Sequence, residues 1–321
     1  NNIAIGTGAL VGAATTTGDD NVAIGRLSLT AMTTGLNNIG IGKSAADATT
    51  TGICNIAIGT DALGASTTGC LNVAIGELAL GAGVTTGENN VATGFDVLTS
   101  NTTGNANVAT GFDALTANTT GSDNVAIGYD ALSSNTTADY GVALGTKALM
   151  SNTTGIGNTA VGTGAMEKNT TGWSNTVMGW NALVENTTGI SNVALGVNSM
   201  FANTTGSTNT AIGNSTLRYN TTGESNTATG EGALYNNTTG GTNTANGVNA
   251  LNSNTEGGNN VAIGYSAGRK NTSGAGNVFI GNEAGNNDNY QTSSNKLVVA
   301  NSDTETPLIE GDFSGATLKV N

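Results

Sequence analysis

Residues 107–123 read NVATGFDALTANTTGSD, and residues 124–140 read NVAIGYDALSSNTTADY. The second stretch is the first written again, with Asn, Val, Ala, Gly, Asp, Ala-Leu and Asn-Thr-Thr at the same offsets. Working outward, the glycine that closes the VAIG-like motif recurs from Gly6 to Gly281. Its successive spacings are 19, three of 17, one of 18 and eleven of 17 residues. The chain is therefore seventeen copies of one unit, N-V-A-I-G-x-x-A-L-x-x-N-T-T-G-x-x, with insertions near Ala13 and Gly83. Positions in this unit are numbered 1 to 17 below, starting from its first Asn.

Seventeen residues are too few for a helix-pair repeat, which needs more than about 30. Gly, Asn and paired Thr also oppose helix. Val-Ala-Ile is a short β run that Gly ends, Ala-Leu is a second short run, and Asn-Thr-Thr-Gly is turn chemistry. One unit then makes one coil of an all-β, parallel β-solenoid (a β-roll), each coil lying about 4.8 Å from the next. Residues 1–285 carry the repeat, and 286–321 form a non-repeat C-terminal segment.

Stacking explains the repetition, because each coil must offer the same residue above its own copy. Position 1 is Asn in every copy from Asn2 to Asn277 except Gly141. Stacked amides can hydrogen-bond from coil to coil. Position 3 is nearly always Ala, with Gly40, Val177 and Phe279 departing, which points to a crowded contact. The turn Asn begins at Asn101, so its column belongs to the later coils.

The apolar groups of one coil, such as Val125, Ile127 and Leu132, are few against the entropy of ordering seventeen residues. Later coils are weaker still, with Thr210, Thr227 and Thr244 in place of Val and Asn246 in place of Ile. A second apolar contact is expected, with the crowded Ala position as its candidate. The expected assembly is a homo-oligomer, most simply a homotrimer around one axis.

Composition narrows function. Gly is 49 of 321 residues, about twice ordinary usage, and charged residues are only 10%. The net charge is −13 with nine Lys and Arg, which disfavours nucleic acid as a partner. There is no His, the commonest acid–base catalyst near neutral pH. No apolar run approaches the ~18 residues of a membrane span, so no membrane insertion is expected. The chain opens inside a repeat, at NNIAIG, which reads as a processed chain or a fragment.

At NVAIG the sequence resembles the head repeats of trimeric autotransporter adhesins, whose similar units form left-handed β-rolls in trimers. The full unit, with AL and NTTG, resembles repeats of phage tail fibres and related bacterial surface fibres. The end, SNKLVVANSDTETPLIEGDFSGATLKVN from Ser294, resembles the segment that precedes an endosialidase-type intramolecular chaperone domain in such fibres. In the family that domain trimerises the fibre and can cut itself off; no residue of this chain is assigned that cleavage. The resemblance implies an extracellular structural fibre, the shaft of a phage or phage-like tail fibre on a virion. The alternative it implies is a bacterial surface adhesin that binds host or matrix surfaces, and either would meet a cell-surface receptor or glycan.

Four features could carry chemistry. Asp96, Asp113 and Asp130 share position 7 in three successive coils, where a Ca²⁺ ion could bridge them. The plainer reading is a solvated acidic stripe, with Lys147 next in file. Phe95, Phe112 and Tyr129 stand just before those acids and could stack on sugar rings, or pack under a loop or between chains. Trp180 and Tyr265 share their position. Cys54 and Cys70 lie near equivalent points of neighbouring coils, where a disulfide is feasible and free or interchain states remain open. The repeated Asn-Thr-Thr is formally a glycosylation sequon and a Thr array of the ice-binding kind, but it repeats because the turn repeats. No nucleophile–His pair exists, and no catalytic residue is expected.

Overall fold

A computed structural model describes residues 1–12, 17–83 and 85–321; the insertion near Ala13 begins outside them. The chain is all-β, a parallel solenoid of about seventeen coils, each contributing one short strand from β1 (Ile3–Ile5) to β17 (Val278–Ile280). It divides into two compact units, Asn1–Asn158 and Thr159–Asn321. Among the described residues no helix is long and apolar enough to cross a membrane.

In the first unit, β1 through β9 (Val142–Leu144) pair in parallel with no slip of register: Ala109 faces Ala126, and Ala126 faces Ala143. The second unit repeats this from β10 (Thr159–Val161) to β17. Hydrogen bonds run along the stacking direction: Val125 N donates to Gly141 O at 2.8 Å, and Gly128 N donates to Thr110 O at 2.9 Å. The second insertion is absorbed at a turn, where Gly83 N still donates to Thr99 O at 2.8 Å.

The interior differs from the expectation. Val125 is half-buried and Ile127 is 44% exposed, whereas Ala126, Ala131 and Leu132 are completely buried. Strand side chains alternate between faces, so positions 2 and 4 must point together and position 3 must oppose them. The small residue goes inward because the coil is narrow. A Cβ at Gly40 would already lie 3.1 Å from Leu29 Cγ and 2.6 Å from Ser28 Oγ. The crowding at position 3 is thus internal to the chain. Position 3 is therefore closed to any second chain, and the apolar side chains left uncovered are those of positions 2 and 4.

Two columns of buried Asn fill the remaining interior. Asn107 Oδ1 accepts from the backbone N and the Nδ2 of Asn124, both at 3.1 Å. Asn118 Nδ2 donates to Asn101 Oδ1 at 2.9 Å, and the two columns meet on Gly121 O, which accepts from Asn107 and Asn118 at 2.9 Å each. An amide suits this place because it offers donor and acceptor together, and buried polar groups must be satisfied. These amides are enclosed and engaged, so the Asn-Thr-Thr sequons present no free nitrogen. The Thr pair splits as well: Thr119 Oγ1 donates to Thr136 O at 3.0 Å, while Thr120 is exposed, so the two do not share a face.

Each coil turns three corners with residues in the left-handed region, such as Asp130 (φ 54°), Leu132 (φ 51°) and Tyr140 (φ 60°). That conformation costs about 1–2 kcal/mol for a residue with a Cβ and is worst for β-branched side chains. Position 9 is accordingly Leu, Met, Ala or Gly in every coil and never Val, Ile or Thr, although it is the main apolar filling. Local strain chooses the shape of the core residue.

The parallel ladder runs past the end of the sequence period. Strand β18 (Lys296–Val299) lies parallel to β17, pairing Val298 with Phe279. The chain then reverses into β19 (Ile309–Asp312) and β20 (Thr317–Val320), both antiparallel. Lys296 Nζ holds Asp312 Oδ2 at 2.6 Å, which keeps that carboxyl well below its ordinary range. Tyr290 closes the interior beside Phe279, with ring centroids 5.9 Å apart and its hydroxyl donating to Glu310 at 2.8 Å. Burial, then the Glu310 bond, raises the Tyr290 pKa.

Candidate functional site

Position 6 follows the VAIG glycine, just past the strand in most coils and as the last strand residue in β6 (Val91–Phe95) and β7 (Val108–Phe112). At the aromatic residues its side chain lies at the surface. At Phe95, Phe112 and Tyr129 this makes an aromatic column on the first unit. Phe95 and Phe112 have ring centroids 5.2 Å apart with planes 16° from parallel; Phe112 and Tyr129 are 5.5 Å apart at 14°. The coil step sets the spacing. All three are 40–48% exposed, but their faces are turned to one another and their edges to solvent. Sugar rings stack on aromatic faces, and here only the outer faces of Phe95 and Tyr129 are open to one. Trp180 and Tyr265 occupy the same position as single exposed rings.

Asp96, Asp113 and Asp130 follow in single file at φ 53–55°. Asp tolerates the left-handed corner better than most residues, so the backbone itself explains why acids and Asn gather at position 7. Among the described residues no three acidic or thiol side chains converge on a point that could hold a metal ion. Asp113, in the middle, has its pKa raised above the ordinary 3.8, first by partial burial and then by the charges of Asp130 and Asp96. A raised carboxyl pKa means that ionisation costs folding free energy. That cost is absent below the unfolded value and grows as pH rises through the folded value. Asp113→Asn is therefore expected to raise the melting temperature at pH 7, by an amount worth about 0.2–1 kcal/mol. The gain should vanish near pH 3. Paired thermal unfolding at the two pH values checks it, and an equal gain at both would reject the electrostatic origin.

Cys54 and Cys70 are both free. Cys70 sits over Ile53, whose backbone N donates to its Sγ at 3.4 Å, while Leu71 takes the corner above Cys54. The one-residue offset seen in the sequence persists as an offset in register.

A second surface group mixes one column with a neighbour from the next position. In the second unit, the Arg218 guanidinium lies 5.6 Å from the ring centroids of both Phe201 and Tyr219. Tyr219 meets Tyr235 edge-on at 5.1 Å. Phe201, Arg218 and Tyr235 share position 10 of three successive coils and Tyr219 stands at position 11, so a single column reveals all but Tyr219. Reading position 10 coil by coil would have found the other three. No protein-family model matches the sequence, and no curated protein matches it either.

Proposed function

We propose that this chain is a structural fibre protein, the shaft of a phage or phage-like tail fibre that assembles as a homotrimer outside the cell and presents or contributes to receptor binding. It has no catalytic role in this reading. The observation that carries it is the uncharged outer face of the strands, built mostly of Val, Ile, Leu and Met and interrupted by Thr and one Asn. Positions 2 and 4 hold no Asp, Glu, Lys or Arg in any strand from β1 to β17, although the chain carries a net charge of −13. Copies of so acidic a chain repel one another unless they meet on a neutral face. A partner whose apolar groups recur at the same spacing is another copy of the same chain. Coil-by-coil stacking supports the shaft role, since length grows with copy number while each coil needs only its neighbours.

Sedimentation equilibrium at micromolar concentration tests the assembly. The expected mass is about three times the 31.5 kDa of one chain. Replacing Ile58, Ile75 and Ile127 by Glu, all on the outer face, should lower that mass while leaving the circular dichroism unchanged. A monomeric parent chain would reject the oligomer. The adhesin reading rests on the same repeat resemblance; a membrane-anchor domain in the full gene would favour it, whereas neighbouring tail genes would favour the phage fibre.

A further inference from the structure

A cavity of about 300 Å³ opens on the surface of the second unit, beside the Tyr219–Tyr235 pair, at the small end of the range for ligand pockets. Its origin is a missing side chain. Position 7 carries Ser215 in one coil and Asn249 two coils later, but Gly232 stands between them. A Cβ at Gly232 would lie 2.7 Å from Asn249 Oδ1 and 3.3 Å from Asn252 Nδ2, so both amides lean into the space left open.

The wall is held in place before any ligand arrives. Asn252 Nδ2 donates to Gly232 O at 2.9 Å and to Asn249 Oδ1 at 3.2 Å. These bonds fix both amides and leave Asn249 Nδ2 as an unused donor and Asn252 Oδ1 as an unused acceptor. Glu231 and Arg269 also line the cavity, and among the described residues neither side chain has a hydrogen bond or ion pair within the protein. Tyr235 adds an aromatic surface.

We infer that this cavity binds an uncharged saccharide unit. Alternating donors and acceptors on fixed amides suit vicinal hydroxyls, each of which both gives and takes a hydrogen bond. Glu231 and Arg269 oppose each other in charge, so the site has no net preference for an anion such as a phosphate or a sialic acid over a neutral ligand. The Tyr235 ring suits the C–H face of a pyranose. The inference deepens the shaft reading by placing a glycan site on the shaft, but its test needs only the isolated chain.

Saturation-transfer NMR and calorimetric titration of the full chain would use methyl glucoside, methyl mannoside, methyl galactoside, maltotriose and cellotriose, with N-acetylneuraminic acid as the anionic arm. Saturable binding of at least one neutral sugar is expected. Gly232→Asn installs the residue that stands at Asn198 and Asn249, keeps the left-handed corner and fills the notch. It should weaken binding about tenfold or more, as should Glu231→Gln combined with Arg269→Gln. Absence of saturable binding by every neutral sugar, a preference for the anionic one, or affinity unchanged in both variants would overturn the site. None of those results alters the sedimentation mass, so the two readings fail separately.

Discussion

Gly111→Ala is expected to destabilise the chain by about 3–5 kcal/mol, from backbone strain and steric overlap together. The closing glycines of the VAIG motif have φ between 115° and 145°, a conformation that essentially only glycine adopts. At Gly111 a Cβ would also stand 2.5 Å from the carbonyl oxygen of Gly128 in the next coil. That oxygen is backbone and cannot swing away, so one added methyl must spread two coils. Gly121→Ala makes the contrast. A Cβ there would approach the carbonyl oxygen of Ala138 as closely as at Gly111, but its φ is not in the left-handed region, and the same position in the next coil already holds the buried Ala138. It should cost about 1–2 kcal/mol. Denaturant unfolding of both variants followed by circular dichroism checks the difference; equal losses would show that the left-handed backbone at Gly111 adds nothing to the close approach that both sites share.

The second large effect concerns the exchange of volume at the last coil. Phe279 occupies the position that Ala holds almost everywhere else, and it is fully buried. Room for it comes from Gly268 and Gly285, both at position 9, where every other coil but that of Ala46 carries Leu or Met. A Cβ on Gly268 would lie 2.5 Å from the Phe279 ring, and one on Gly285 would lie 2.2 Å from it. Phe279→Ala alone should cost about 3–5 kcal/mol through the cavity it leaves. Gly268→Leu and Gly285→Leu alone should also be destabilising, through overpacking. Combined, the three changes rebuild the ordinary Ala-and-Leu coil and should recover most of the loss. Both glycines sit at φ 59–66°, the corner that Leu132 already accepts at 51°. Purely additive losses in the combined variant would sink the volume-exchange account, because coupled neighbours must deviate from additivity.

The outer columns show where sequence reading stops. Phe95, Phe112 and Tyr129 were visible as a column, but their face-to-face stacking was not, and it decides that edges rather than faces meet the solvent. Asp113 and its neighbours were visible as a file of acids; the left-handed backbone that favours Asp there appears only in the coordinates. The cavity at Gly232 was illegible because its wall comes from several coils and four different repeat positions.

The repeat period, the parallel in-register stack, the coil-to-coil Asn contacts and the turn chemistry were all determined by the sequence alone. A strict recurrence at one spacing allows few other ways to satisfy the backbone. The sequence left open which side of the strand faces inward. Ala and Ile alternate in either case, and apolarity favours Ile for the interior; the width of the coil decides instead. A loop closed in seventeen residues has room for Ala126 against Leu132 and none for Ile127, so the larger side chain is turned out to the surface.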